Sequence, residues 1–303
     1  MTEKKRGVLA VVVTYNRLEL LKQCVAALEA QTAGCDILII DNASTDGTER
    51  YGEEKQGPGL VYERLKENTG GAGGFQYGVR WGTEQGYNYL WLMDDDTLPE
   101  KEALEKLLEA GVALENRYGW LSSMTLWTDG NLCGMNRQKK TPFRDVKDVD
   151  YRQERIPCQI ASFVSLLVRR EMVIKYGYPI KEFFIWTDDW EYTRRISREE
   201  ACYVVPGSRV VHAMKQNTVS NIARDSVDRL PRYRYMYRNE VYVYRREGLK
   251  GWLWVFAKDC WHSAQVIFLR RENKGKVLGT IWAGLREGIR FRPVPEGYRQ
   301  GDA

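Results

Sequence analysis

The sequence predicts an α/β protein: a mostly parallel β-sheet with helices on both faces, followed by a C-terminal helical segment. Three observations predict it. Through the first 120 or so residues, short apolar runs of strand length alternate with segments of helical periodicity, the pattern of repeated β-α-β units. Polar clusters stand at the carboxyl ends of three of those runs, where open parallel sheets bind their ligands. The composition, 43% hydrophobic and 29% charged in 303 residues, suits a folded chain with a sizeable core and excludes a disordered one.

Residues 8–14 form a continuous apolar run that reads as a buried first strand. Residues 18–31 place Leu20, Leu21, Cys24, Val25 and Leu28 at helical spacing. DILIID at 36–41 is a second buried strand, followed by the turn-rich NASTDGT, and residues 60–65 alternate as a third strand. A glycine loop at 68–74 leads into a helix over 75–85. YLWLM at 89–93 is a fourth strand that stops at three aspartates. Thr97-Leu98-Pro99-Glu100 has the form of a capping box opening a helix that runs to about Glu115. The second half is less regular. Residues 120–127 and 160–168 read as strands around a polar excursion at 129–155; residues 183–200 read as a loop entering a helix; residues 204–211 contain a strand that ends at His212. From about Arg232 the chain reads as helical, punctuated by Gly248 and Gly251. There Leu253, Trp254, Ala257, Trp261, Ala264, Ile267 and Phe268 form one apolar stripe, with Lys258, Asp259, His262 and Gln265 opposite and His262 expected on the exposed side.

Several classes are excluded. The apolar run after the short basic start is six residues, too short for a signal-peptide core, and the longest uncharged stretch (156–168) is far short of a spanning helix. The six cysteines are widely spaced and read as reduced thiols of a cytoplasmic protein. Charge divides unevenly. Residues 232–303 carry 15 Lys/Arg against 7 Asp/Glu, together with four tryptophans, whereas residues 1–231 carry 31 against 34. An acidic body at 1–231 and a basic, tryptophan-rich tail at 232–303 suggest two tasks. No nucleic-acid-binding module accompanies the charge.

The three polar clusters, Thr14–Arg17, Asp41–Asp46 and Asp94–Asp96, are expected on one edge of the sheet. Successive carboxylates repel and need a cation or hydrogen-bond donors to stay ionised. In extended backbone Asp94 and Asp96 point to the same side and Asp95 to the other, so the outer pair suits one hard cation, Mg²⁺ or Mn²⁺. The alternative is a solvated loop that helps cap the next helix. The glycine loop brings backbone N–H groups within reach of an anion, or is merely a turn; it lacks the Gly-Lys-Ser/Thr of a P-loop. Asp188 and Asp189, between Trp186 and Trp190, suit a general base with a raised pKa, or a helix N-cap. His212 is a structural histidine or a third metal ligand.

Together VVVTYNRLELLKQCVAAL, IIDNASTDGT, ENTGGAGGFQYGV and YLWLMDDD resemble the inverting family-two glycosyltransferases of the GT-A fold, over roughly residues 8–245. NTGGAGGF, the triple aspartate, TDDWEY and VVPGSRVVH resemble the galactofuranosyltransferase and rhamnosyltransferase branch of bacterial surface-polysaccharide synthesis. The resemblance implies that Thr14, Asn16 and Arg17 contact the nucleotide and that Asp41 holds its base. Asn42 and Asn68 would lie nearby, with Gly71, Gly73 and Gly74 lining the donor pocket. It further implies that Asp94 and Asp96 ligate Mn²⁺ or Mg²⁺ with His212, that Asp95 faces the ribose or sugar, and that Asp189 is the catalytic base. Asp188 would support the base or meet the acceptor, with Trp186 and Trp190 on the acceptor side. The nucleotide-binding part would span about 8–120 and the acceptor and base part 121–231. A triple aspartate replaces the simple DxD, and the chain has no room for the extra domains of many galactofuranosyltransferases.

The implied donors are UDP-galactofuranose and dTDP-rhamnose, and the implied acceptor is a saccharide or lipid-linked saccharide. The arginines of Arg232-Tyr233-Arg234-Tyr235-Met236-Tyr237-Arg238-Asn239 are candidates for meeting a diphosphate. The helices beyond would lie on an anionic membrane at its cytoplasmic face, pack on the catalytic body, or build a homodimer. A nucleotidyltransferase would carry a glycine- and arginine-containing loop where this chain has TYNR. A non-catalytic sugar- or membrane-binding protein would be expected to have lost Asp189, His212 or the aspartate triplet.

Overall fold

A computed structural model of the chain describes residues 6–217 and 220–297; the basic start and the last six residues of the tail lie outside the described residues. The first half runs β1 (Arg6–Thr14), α1 (Leu18–Glu29), β2 (Asp36–Asp41), α2 (Thr48–Lys55), β3 (Leu60–Arg64), α3 (Gly70–Glu84), β4 (Tyr87–Asp94), β5 (Thr97–Pro99) and α4 (Ala103–Ala113). It continues through β6 (Trp120–Trp127), the hairpin of β7 (Lys139–Thr141) and β8 (Arg144–Asp145), β9 (Ile156–Pro157), β10 (Leu166–Arg169) and α5 (Arg170–Tyr176). Then come α6 (Asp188–Ser197) and β11 (Tyr203–His212), and the tail supplies α7 (Leu230–Tyr244), α8 (Gly248–Leu269) and α9 (Lys274–Arg290).

The main sheet has the order β3-β2-β1-β4-β10-β6-β11-β5, with β9 added beside β11. β1 to β4 are parallel to one another, β10 runs antiparallel between β4 and β6, and β11 is again parallel to β6. This is the mostly parallel sheet with helices on both faces that the strand–helix alternation predicts. Alternation along β1 explains the two faces: Leu9, Val11 and Val13 join Phe75 and Val79 of α3 in one core, while Val8, Ala10 and Val12 join Leu21 and Val25 of α1 in the other.

Four expectations are corrected. The glycine run is not a loop before a helix; α3 starts at Gly70, so Gly71, Gly73 and Gly74 lie in its first turns. Thr97 opens no helix; it begins β5, which pairs with β11, and α4 starts at Ala103. The strand expected over 160–168 is confined to β10, and Ile160 instead makes a single bridge to Lys139 of β7. The fourth correction concerns the polar face of α8, which is turned inward while the apolar stripe faces outward. Trp261 is 63% and Phe268 83% exposed, whereas Gly251, Val255, Asp259, Ser263 and Val266 are buried. On that inward face His262 is half-buried against the Tyr237 hydroxyl at 2.8 Å rather than exposed.

Candidate active site

The ends of β1, β2 and β4 meet as the parallel sheet requires, and β11 brings His212 to the same edge through its pairing with β5 and β6. Asp95 and Asp96 form the turn between β4 and β5. The Thr14 hydroxyl donates to Asp95 at 2.7 Å, and Arg17 donates to Asp96 at 2.6 Å and Asp95 at 3.3 Å. The other oxygen of Asp96 lies 2.8 Å from His212 Nε2. His212 Nδ1 is 2.7 Å from the Asn136 side-chain oxygen.

Ligand atoms of Asp94, Asp96 and His212 all lie within 4.8 Å of one another, the spacing one ion needs. Burial, then the charge of Asp96, pushes Asp94 up to about 7, and burial pushes Asp95 up to about 6. Burial works against ionisation of Asp96 as well, but His212 and Arg17 prevail and hold its carboxyl below the usual range. For His212 burial opposes charge, yet the contact with Asp96 wins and its pKa rises to about 10. Two hard carboxylates and an imidazole, crowded and partly neutralised by the protein's own cations, fit a divalent ion.

Asn16, at φ 54°, accepts from the Thr45 N–H and donates its own N–H to Ser44, tying the β1 and β2 loops together. Asp41 is buried, with one oxygen on the Ser44 N–H and the other on the Tyr62 hydroxyl. Asn42 joins the end of β2 to α3 by donating to the Gly70 carbonyl and accepting from Thr69. Asn68 accepts the Gly70 N–H. Gly71 stands free on α3, whereas a Cβ on Gly73 would meet Thr69 and one on Gly74 would meet Val13. These residues therefore shape the rim of the strand ends, and part of their hydrogen-bonding capacity serves the fold.

Asp188 and Asp189 lie in the first turn of α6, after the N-cap Thr187, so neither is itself the cap. Asp188 is buried and pushed up to about 7 by that burial. Asp189 is half-buried and accepts the Trp190 N–H at 2.8 Å. Burial, then the charge of Asp188, pushes its carboxyl well above the usual range, and the charge of Asp94 acts in the same direction. Trp186 packs edge-on to Tyr233 of α7, and Trp190 lies under Lys139 and against the cluster of Val241, Tyr244 and Val255, so both tryptophans join the catalytic body to the tail. Two tail arginines serve the protein itself: Arg234 pairs with Glu287, and Arg238 donates to the carbonyls of Glu182 and Phe183. Sequence reasoning missed Asn136, which sits in the aperiodic excursion, and Asn239, which the sequence shows only as the end of a Tyr- and Arg-rich run.

Residues 9–177 match the family described as Glycosyl transferase family 2. The chain is 26% identical to Galactofuranosyltransferase GlfT1 of Mycobacterium tuberculosis, over 92% of this chain and 100% of that one. It is 36% identical over 107 residues to Undecaprenyl-phosphate mannosyltransferase of Micrococcus luteus, a match that takes in 34% of this chain and 43% of that enzyme. Among solved structures, GalNAc-T7 with UDP, GalNAc and Mn²⁺ superposes with a TM-score of 0.63 at 13% identity, covering 95% of this chain and 56% of that one. The mannosyltransferase PcManGT of Pyrobaculum calidifontis, in complex with GDP-Man and Mn²⁺, gives 0.54 at 15% identity over 97% and 77% of the two chains.

Proposed function

The chain belongs to glycosyl transferase family 2, and on that premise we propose a metal-dependent inverting transferase that moves galactofuranose or rhamnose from a nucleoside diphosphate to a saccharide or lipid-linked acceptor. The product would belong to bacterial surface polysaccharide. The observation that carries the reading is the convergence of Asp94, Asp96 and His212 within 4.8 Å. The end-to-end likeness to galactofuranosyltransferases favours UDP-galactofuranose over dTDP-rhamnose as donor.

In this reading Thr14, Asn16, Arg17 and the Asp41–Asn42 turn receive the nucleotide, and Asn68 with the first turns of α3 lines the donor side. Asp95 is held toward the donor by Thr14. Asp94, Asp96 and His212 hold the divalent ion. When bound, that ion supplies Lewis-acid stabilisation of negative charge on the departing diphosphate. Arg17, half-exposed beside the triplet, adds a second positive charge there. Asp189, with its raised pKa, takes the proton of an acceptor hydroxyl. That oxygen forms its bond to the anomeric carbon as the bond to the diphosphate breaks on the opposite side, which inverts the configuration. Asp188 supports the base, and Trp186 and Trp190 flank the acceptor.

The acceptor and location follow from the tail. Its outward apolar face, on two helices that with the link between them also expose Lys250, Arg271, Lys274 and Arg286, suits an anionic bilayer and a lipid-linked acceptor. No helix among the described residues is long and apolar enough to cross a membrane. The reading is therefore a peripheral protein at the cytoplasmic face, with residues 1–231 catalytic and 232–303 the docking segment.

A donor panel tests the function. Transfer or slow hydrolysis should single out UDP-galactofuranose or dTDP-rhamnose among common nucleotide sugars, and silence across the panel would sink the reading. Asp189→Asn should lower kcat by about 10³-fold or more while changing nucleotide affinity less than about threefold. Substantial turnover in that variant would remove Asp189 as base.

A further inference from the structure

We infer that Asn239 of α7 is a positioning residue that holds the backbone leading into Asp189 in its working shape; the inference rests on the base assignment above. The segment before α6 is unusual. Phe184, Trp186 and Thr187 have φ of 62°, 64° and 64°, and none is glycine. Left-handed backbone at such residues costs about 1 kcal/mol or more each and persists where the surroundings over-determine it.

The surroundings are a clasp from two sides. On one side is Asn239, 0% exposed. Its amide nitrogen stands 3.0 Å from the Phe183 carbonyl, 3.2 Å from that of Ile185 and 2.9 Å from that of Trp186. Its oxygen accepts from Arg238 Nε at 2.9 Å, and that pairing orients the amide with its donors toward the loop. Arg238 adds contacts to the Glu182 and Phe183 carbonyls at 2.6 and 3.2 Å. On the other side, the first turn of α3 presses on the same loop. The Ala72 N–H donates to the Phe184 carbonyl at 3.2 Å, and a Cβ on Gly70 would sit 2.0 Å from that oxygen.

The strained loop therefore couples three parts of the machine: the donor-side start of α3, the base-bearing start of α6, and the tail. Asn239 acts through the loop and touches no reacting atom. The Arg238–Asn239 pair is thus turned inward, toward the geometry of the base, rather than outward to a substrate diphosphate.

The full-length Asn239→Ala and Asn239→Asp variants test this. Aspartate matches asparagine in shape but offers no N–H to the three carbonyls. Both should lose about 20- to 100-fold in kcat, the scale of a misplaced catalytic group, with UDP or dTDP affinity and donor KM within about threefold of wild type. A purely structural role would instead lower the melting temperature while leaving kcat per folded molecule intact. A kcat within threefold in either folded variant overturns the inference, as does a loss that merely tracks nucleotide affinity. If neither variant folds, Asn239 is a folding residue and the assignment also falls. Asp189→Asn keeps the two ideas apart: turnover retained there removes the base, whereas loss there with full activity in the Asn239 variants removes the clasp alone.

Discussion

Asp96 is held between two of the protein's own cations, His212 on one oxygen and Arg17 on the other. A divalent ion entering this site must displace protons. His212, raised to about 10, and Asp94, raised to about 7, both carry protons at pH 6, and by pH 8 Asp94 has lost its own. Free acid and imidazolium compete with the ion, so affinity rises with pH, by up to about tenfold per unit for each proton displaced. Mn²⁺ calorimetry at pH 6, 7 and 8 in buffers of different ionisation enthalpy should show tightening binding and net proton release. Affinity that stays flat over this range would argue against the Asp94–Asp96–His212 trio. Excess chelator should stop transfer, and added Mn²⁺ or Mg²⁺ should restore it. The acids of this site were legible because they close a buried apolar run. Asn136, which orients His212 from the other ring nitrogen, was not, since nothing in residues 129–155 is periodic enough to locate it.

Helix α3 carries its glycines for packing more than for anion binding. Gly74, Gly78 and Gly82 fall four residues apart on one face. A Cβ there would come within 2.6 Å of Val13, 2.4 Å of Val11 and 2.6 Å of Leu90 respectively. Glycine weakens a helix by about 1 kcal/mol against alanine, so the run reads as loop when propensity is the guide. Close approach of α3 to β1 and β4 overrides that cost, a tertiary fact that spacing alone does not announce. Two alanine substitutions should then move in opposite directions. Gly78→Ala gains propensity but forces a methyl into Val11, an overpacking cost of about 1–3 kcal/mol, and should melt lower. Gly71→Ala, with nothing within 4 Å, should melt higher by the equivalent of about 0.5–1 kcal/mol. Equal melting temperatures for the two would refute the packing account. The same limit explains Thr97, where capping chemistry was present in the sequence but strand pairing with β11 took the residue.

Seen whole, the molecule keeps to apolar-inside in its sheet and departs from it in its tail, and the departure has a use. Periodicity in α8 identified the stripe correctly but could not say which way it faces. The structure turns it outward and buries instead the face that carries Asp259 and half-buried Lys258, which pairs with Glu240 of α7. Phe256 of α8 and Trp282 of α9 meet edge-on, so the exposed surface is continuous across the two helices. Apolar side chains such as Trp261 and Phe268 each gain about 1.5–3 kcal/mol when taken out of water. The exposed lysines and arginines of the same segment select an anionic surface over a neutral one. Full-length protein should therefore float with vesicles containing about a third anionic lipid, less with neutral ones, and partly release at high salt. Trp261→Glu combined with Phe268→Glu should cut flotation at least tenfold while leaving turnover of soluble donor unchanged, because neither residue approaches the strand ends. If wild type stays off anionic vesicles and light scattering finds a dimer that the double variant abolishes, the face is a subunit interface and the membrane reading is wrong.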